Sequence, residues 1–349
     1  MINVNKQLLE TFYFGIQNNE YFSRKGEGCS LVKNILKICR LLAYRFFFCC
    51  YKENISNSIK ITWYPLHERI LQDYNSDSIT LSDHRTNLLG PSFLSYIKFS
   101  RILKILLNTM CTGKDRHLIY DMYVWRLIVE LLLSGRVETI MIAGHYDKYA
   151  TWIAYIAKLN RLQLTISQHG ANSSYDLPHK IPANRVEVFS KAEEQMFRAT
   201  ILEPDNTDFY IKGFKSSISF LEGHFNQKTI AIASQPGYEH SVVSLIEEIF
   251  TIDKKINIIV YPHPSDRFMN GNLTLGGNVN VAKKERYSDI DFLLVFTSTL
   301  AYDYWSCPLF QGKVLCYYDK NCIVALYDDE RAVVLYPDTF REKAREILV

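Results

Sequence analysis

Histidines follow two apolar, strand-like runs in the first half of the sequence. The run ETIMIAG leads into His145 and Asp147, and the run QLTIS leads, through one glutamine, into His169 and Gly170. Glycine after a histidine lets the backbone turn sharply and expose the imidazole. An imidazole or carboxylate at a strand exit can act as a general base. His169, Asp147 and His145 are therefore candidate catalytic bases, and helix capping or burial in the core is the alternative role for each.

Three strand-like runs in the second half end in groups that could bind a phosphate. TIAIA leads into SQPG (234–237), INIIVYP into HP (263–264), and DFLLVF into TST (297–299). Small turns and helix starts expose backbone amides to anions, and a histidine at a strand exit can donate a hydrogen bond to a leaving phosphate. Turn formation and N-capping are the alternative roles. The predicted nucleotide-binding residues are Ser234, Gln235, Gly237, His263, Pro264, Ser298 and Thr299, and His263 is also a catalytic candidate.

Strand-like and helix-like runs alternate from about residue 58 onward, which predicts βαβ units and parallel sheets. The predicted strands cover 59–64, 138–144, 163–170, 185–190, 208–214, 229–237, 256–264, 291–299, 312–318 and 331–337. Predicted helices cover 123–135, 147–161, 191–202, 240–250, 299–306 and 338–349. In such sheets ligands bind at the carboxyl ends of the strands, where the candidate residues lie.

The alternation breaks in a polar stretch at 213–227 and then resumes at Thr229. This break predicts an N-terminal Rossmann-like domain at 1–220 and a second Rossmann-like domain at 221–335. The last segment, 336–349, is predicted to be a terminal helix that can cross back to the first domain. The expected fold class is α/β, with two Rossmann-like domains facing a central cleft.

Composition and missing motifs exclude several other classes. The 349 residues are 48% hydrophobic and 22% charged, enough for two cores, and a net charge of +3 is too small for a nucleic-acid-binding protein. The sequence has no P-loop, dinucleotide fingerprint or G-x-S-x-G elbow. Its D-x-D match, 289–291, leads straight into an apolar strand. We therefore predict no metal site and no cofactor.

Eight scattered cysteines without C-x2-C spacing predict reduced thiols, and the N-terminus lacks the pattern of a signal peptide. Both features predict a cytoplasmic protein. The most apolar stretch, 35–51, contains three basic residues and is a poor transmembrane span. It is interpreted as a core helix with a basic outer face; the alternative is a helix lying peripherally on the inner face of the cytoplasmic membrane.

The order SQPG, then YPHP, then a strand ending in Ser-Thr before a helix resembles the C-terminal half of bacterial sialyltransferases. In that family the HP and Ser/Thr motifs bind the CMP of a CMP-sugar donor. The similarity extends to polysialyltransferases, capsule Kdo transferases and CDP-glycerol glycerophosphotransferases. The last group also has an HG motif, like His169-Gly170, and an acidic residue after a hydroxyl-rich segment, like Asp303. The sialyltransferase pattern of an acidic pair followed by glycine is missing, and GEG (26–28) is a poor substitute.

The resemblance implies an inverting, GT-B type glycosyltransferase that moves sialic acid or a related acidic sugar from a CMP-activated donor. The implied acceptor is a hydroxyl of an oligosaccharide or lipid-linked glycan of a bacterial surface polysaccharide, such as O-antigen, capsule or lipooligosaccharide. Two alternatives stay open: a CDP-glycerol or CDP-ribitol phosphotransferase of the same fold, and a non-catalytic polysaccharide-assembly protein. His169 resembles the HG histidine, whereas Asp147 matches the carboxylate chemistry of sialyltransferases.

Overall fold

Two six-stranded β-sheets organise the chain. The computed structural model describes all residues except 1–5, 24–30, 84–87, 90, 113–115, 135, 171–175, 204–206, 215, 217, 224, 236, 264–277, 283, 321 and 349. The chain divides into two units, of which the first holds 1–169, 175–188 and 197–210 and the second holds 170–174, 189–196 and 211–349.

The first unit joins a sheet to a large helical layer. Its strands are β1 (Ser58–Thr62), β2 (Asp77–Thr80), β3 (Ser82–Asp83), β4 (Leu88–Leu89), β5 (Thr139–Ile142), β6 (Gln163–Ser167), β7 (Arg185–Val188) and β8 (Asp208–Ile211). Its helices are α1 (Lys6–Ser23), α2 (Leu31–Phe48), α3 (Pro65–Ile70), α4 (Pro91–Ser95), α5 (Phe99–Thr112), α6 (Ile119–Ser134) and α7 (Lys148–Leu159), and α8 (Lys191–Thr200) begins in the second unit and ends in the first. The strand order is β2-β1-β5-β6-β7-β8, and β3 and β4 form a separate antiparallel pair.

The second unit has the strand order β11-β10-β9-β12-β13-β14. Its strands are β9 (Thr229–Ala233), β10 (Asn257–Tyr261), β11 (Val279–Val281), β12 (Phe292–Val295), β13 (Lys313–Tyr317) and β14 (Ala332–Leu335), and its helices are α9 (Glu239–Ile252), α10 (Leu300–Trp305) and α11 (Phe340–Leu348). All its strand pairs are parallel. In chain order this is the 3-2-1-4-5-6 arrangement of a Rossmann fold. The predicted α/β class with two Rossmann-like domains is confirmed.

Continuous apolar sequence explains the central strands. Every residue of β9 and of β12 is buried, because both faces of the sheet are covered. Each sheet reverses its winding beside its first strand, between β1 and β5 in the first unit and between β9 and β12 in the second. The carboxyl ends of these strands are the places where this fold binds ligands.

The unit boundary and the packing of the terminal helix are defined by the structure. The division between the units falls at 210/211, ten residues before the expected boundary at 220. Helix α11 packs on α9, and its apolar side chains Phe340, Ala344 and Leu348 are part of the second unit's own core. Its three buried residues recur at helical spacing, so the apolar face is used within this unit.

Helix α2 also differs from its interpretation as a core helix with a basic outer face. Its exposed side carries Val32, Leu36, Phe46 and Phe47, whereas Arg45 is buried. The outer face is therefore apolar as well as basic. Among the described residues, no helix is both long and apolar enough to cross a membrane.

Candidate functional sites

Three histidines meet at the switch point of the first sheet. His145 follows β5, His169 follows β6, and His67 lies on α3, the helix that follows β1. The ring centre of His169 is 5.0 Å from that of His67 and 4.9 Å from that of His145. The strand-end pattern in the sequence points to His145 and His169 but not to His67. We call these three residues the histidine cluster.

His169 has the hydrogen bonding of a base. Its Nδ1 lies 2.5 Å from the carbonyl oxygen of Ala143, which can only accept, so Nδ1 carries the proton and Nε2 keeps its lone pair. Burial lowers the pKa of His169, and the bond to Ala143 opposes that shift. The imidazole is therefore neutral near pH 7, which is the form a general base needs.

Asp147 is held as a helix cap. Its Oδ1 accepts hydrogen bonds from the backbone amides of Tyr149 and Ala150, at 2.9 and 3.0 Å, at the start of α7. Its Oδ2 accepts from the indole N–H of Trp63 at 2.7 Å. Burial raises the pKa of this carboxyl, and the three hydrogen bonds lower it. Both oxygens therefore have structural partners, and the geometry favours the capping role that the sequence left open.

His145 lies in an aromatic part of the core. It is fully buried, and its ring centre is 3.9 Å from that of Tyr146 and 4.8 Å from that of Phe197. The preceding Gly144 allows the indole of Trp63 to approach, since a Cβ at Gly144 would lie 2.0 Å from a ring carbon. This packing gives His145 less access to substrate than His169, which is only partly buried.

His67 is almost completely buried, at 1% exposed. Burial, and then the proximity of His169, lower the pKa of His67 to about 2. Its Nδ1 has no hydrogen-bond partner within the described part of the chain. The sequence contains one signal for His67. It follows Trp63 by four residues and lies in a short helix that begins at Pro65. His67 is thus a neutral polar group beside His169.

In the second unit, two predicted phosphate-binding turns are bonded to neighbouring strand ends. The amide of Ser234 donates to the carbonyl oxygen of Tyr261 at 3.0 Å, which connects the ends of β9 and β10. The hydroxyl of Thr297 donates to the side-chain oxygen of Gln235, which connects the ends of β12 and β9. Ser234 is buried and Gln235 is half-buried. These bonds bring the two turns together at the switch point of the sheet.

Backbone conformation requires glycine in the first of these turns. Gly237 has φ +91°, a left-handed value that L side chains rarely adopt. Its amide donates to the Glu239 carboxylate at 2.9 Å. The Glu239 carboxylate therefore already accepts the hydrogen bond of this amide, and a bound phosphate would have to displace it.

The two hydroxyls before α10 differ in their bonding. Ser298 Oγ accepts a hydrogen bond from the amide of Leu300 at 3.2 Å, which is a local turn contact. The side chain of Thr299, the N-cap residue, makes no capping bond. Both residues are half-buried. Helix capping therefore does not explain why a hydroxyl residue stands at position 299.

His263 is exposed, two residues after the end of β10. Just before it, the ring of Tyr261 lies under the guanidinium of Arg286, at 4.4 Å, and its hydroxyl accepts from Tyr304 at 3.0 Å. This buried network holds the strand end from which His263 extends. Pro264, the other half of the HP motif, lies outside the described residues, as does GEG (26–28).

Acidic residues near the second sheet have structural partners. Asp289 and Asp291 of the D-x-D match accept from the amides of Gly223 and Thr229, each at 2.7 Å. Asp303 is buried and accepts from the Ser216 hydroxyl at 2.7 Å. Within the described ranges, no group of three His, Cys, Asp or Glu side chains is placed to hold a metal ion.

No family model and no curated protein matches the chain. Anabaena Alr3699/HepE, solved with UDP and glucose, is similar at 12% identity and a TM-score of 0.49, over 83% of this chain and 88% of that one. A glycosyltransferase from Rickettsia africae ESF-5 is similar at 11% identity and 0.48, over 85% and 88%. The UDP-GlcNAc 2-epimerase of Methanocaldococcus jannaschii, with UDP-GlcNAc and UDP, is similar at 12% and 0.42, over 83% and 92%. Because these TM-scores are below 0.5, the functional assignment rests on the chain's own residues.

Proposed function

We propose that this protein is an inverting glycosyltransferase that transfers an acidic sugar, sialic acid or a relative, from a CMP-activated donor. The proposed acceptor is a hydroxyl of a bacterial surface polysaccharide. One observation carries the proposal: the motif residues of each half lie at or beside the carboxyl ends of strands that flank the switch point of a Rossmann-type sheet or are next to those strands. This is where nucleotide and substrate sites of such sheets are built.

The proposed chemistry assigns one role to each unit. Nε2 of His169 takes the proton of the acceptor hydroxyl, and the acceptor oxygen then attacks the anomeric carbon of the donor sugar. The bond from that carbon to the CMP phosphate breaks, and CMP leaves with the electron pair. His263 donates a hydrogen bond to the departing phosphate, and Ser298 and Thr299 stabilise its charge.

A CDP-glycerol or CDP-ribitol phosphotransferase is the second candidate, and one observation favours it. His169, the histidine of the HG motif, is available as a base, whereas both oxygens of Asp147 accept structural hydrogen bonds. A histidine base is similar to the HG chemistry of glycerophosphotransferases, and a carboxylate base is similar to that of sialyltransferases. The two candidates differ in the nucleotide that the second unit should prefer.

Calorimetric titration of the full chain with CMP, CDP, UDP and GDP tests the proposal. We expect CMP to bind most tightly, and Thr299→Ala to weaken that binding. A preference for CDP would support the phosphotransferase, and a preference for UDP or GDP would contradict both. Binding of none of them would favour the non-catalytic assembly protein.

We expect turnover with the identified donor to persist in EDTA. The proposed mechanism stabilises the leaving phosphate through hydrogen bonds and helix starts rather than a divalent ion. Activity before and after chelation, with Mg²⁺ and Mn²⁺ add-back, measures this. Loss of turnover in EDTA with recovery on add-back would contradict the mechanism.

A further inference from the structure

Helix α2 exposes large apolar side chains along its outer side. Val32 is 66% exposed, Leu36 52%, Phe46 67% and Phe47 71%. Helix α5 does the same with Leu107, at 67%, and Met110, at 49%. We call the exposed sides of these two helices, with the adjoining Tyr51 and Lys98, the apolar–basic face.

The inner side of α2 contains buried polar groups beside the core residues Ile38 and Leu41. The Asn34 amide donates to the carbonyl oxygen of His117 at 2.7 Å, and the buried Arg45 guanidinium donates to that of Ile97 at 3.2 Å. A surface helix ordinarily points its apolar side at the core and its polar side at water. Folding of this unit alone therefore does not account for the apolar outer side of α2.

The two helices meet at one corner of the face. Both pack on α6. The ring of Phe46 lies 5.2 Å from that of Phe47 and 5.7 Å from that of Phe99, the first residue of α5. The ammonium group of Lys98 lies 5.6 Å from the ring centre of the partly exposed Tyr51. Aromatic rings and a cation therefore share one exposed corner.

Charge on the face has a single sign. Neither α2 nor α5 contains an aspartate or a glutamate, although the whole chain has 37 of them. Lys33, Arg40, Lys98 and Lys104 are exposed on or beside these helices. Basic residues interleaved with exposed Leu and Phe match the chemistry of a bilayer surface with anionic headgroups.

We propose that the apolar–basic face binds the surface of an anionic lipid bilayer, with α2 and α5 lying in the plane of the headgroups. A second copy of the chain fits less well, since a two-fold contact through this face would bring cationic surfaces together. The bilayer supplies both an apolar layer for the Phe and Leu side chains and negative charge for the lysines and Arg40. The inference does not depend on the proposed reaction.

Co-sedimentation of the full chain with phosphatidylcholine vesicles, with and without phosphatidylglycerol, tests the proposal. We expect binding to the anionic vesicles that weakens at higher salt. Phe46→Ser/Phe47→Ser should weaken the partition at least roughly tenfold, because each ring loses its burial in the acyl boundary. Lys33→Gln/Arg40→Gln should weaken binding to anionic vesicles by roughly fivefold per charge removed.

Leu309→Ser/Ile323→Ser is the matched control, because these side chains are 59% and 40% exposed in the second unit. It should bind vesicles like the wild type. Equal loss in both apolar variants, or no vesicle binding by the wild type, would overturn the proposal. Light scattering distinguishes a further outcome: a concentration-dependent dimer that Phe46→Ser/Phe47→Ser dissociates would identify a second copy as the partner instead.

Discussion

At the scale of single residues, His169 and Asp147 differ in whether the side chain has an atom available to accept a proton. The Nδ1 proton of His169 is directed at the Ala143 carbonyl oxygen, which leaves Nε2 free to accept a proton. Asp147 shares its oxygens among two backbone amides and the Trp63 indole. Taking a proton at Asp147 would weaken the N-cap of α7, so the carboxylate is better suited to hold that helix than to catalyse transfer.

We therefore predict that His169→Ala lowers kcat by roughly 10²–10⁴ and that Asp147→Asn, which preserves a capping side chain, lowers it far less. The wild-type profile of kcat/KM against pH should lose activity on the acid side below pH 6.5, because burial lowers the pKa of His169 and the neutral imidazole persists to lower pH. Steady-state rates of the wild type, His169→Ala and Asp147→Asn, measured across pH, test both the kcat changes and the pH profile. Full kcat in a folded His169→Ala, with an inactive Asp147→Asn, would show that the carboxylate is the base.

His263 supports a second prediction at this scale. His263→Ala should lower the rate by on the order of 10²–10³, the usual effect of removing one donor to a leaving group. Because the side chain is exposed, its loss leaves no cavity, and the thermal midpoint should stay within the error of the wild type. Near wild-type turnover in this variant would remove His263 from the mechanism.

At the scale of secondary structure, the segment before α10 distinguishes a cap from a phosphate site. Ser298→Ala should cost about 1 kcal/mol of stability or less, because its hydroxyl accepts from Leu300, and Thr299→Ala should cost little, because it makes no capping bond. Both should weaken nucleotide binding more than they lower stability. Thermal melts and nucleotide titrations on each variant measure the two effects. Unchanged nucleotide affinity in both would assign these hydroxyls to the turn alone.

The central strands were predictable, whereas two of the four edge strands were not. The buried strands β9, β10 and β12 have continuous Ile, Val and Leu runs, which only a covered sheet explains. The edge strands β2 and β11 were missed, since β2 has one buried residue and β11 has none. Their short polar sequences resemble loops, and only pairing with a neighbour defines them as strands.

The candidate sites were predictable to a similar extent. The positions of His145, His169, Ser234 and Thr299 were predictable, because each follows an apolar strand or opens a helix. His67 was missed because it lies inside a short helix, and only the sheet order β2-β1-β5-β6 brings that helix to the other histidines. The outward side of α2 was misjudged for a related reason, since periodicity identifies two faces of a helix but not which of them meets the core.

At the scale of the whole molecule, the two units have separate cores. We therefore expect that lowering the pH does not change the stability of both units equally. His67 binds a proton in the unfolded chain below about pH 6.5 but not in the folded one, where its pKa is about 2. The unfolded state therefore gains protons first, and the first unit loses stability as pH falls below 6.5, by about 1.4 kcal/mol per pH unit from this group.

Denaturant unfolding at several pH values, followed through a probe in the first unit, measures this slope. His67→Gln should flatten the slope by about one proton per molecule, whatever its stability at neutral pH. His240→Gln, at an exposed position of α9, is the matched control for the loss of one histidine side chain. An unaltered acid slope in His67→Gln would show that His67 is not the group responsible.

The hydrogen bond between Trp63 and Asp147 also places a fluorescent side chain beside the histidine cluster of the first unit. The Trp63 indole is buried, donates to that carboxylate, and lies 4.7 Å from the ring of His67. Indole emission responds to nearby charge, so a proton or an acceptor arriving at the histidine cluster should shift the fluorescence of Trp63. Replacing the other three tryptophans with phenylalanine would leave a chain that reports on this cluster without any added label.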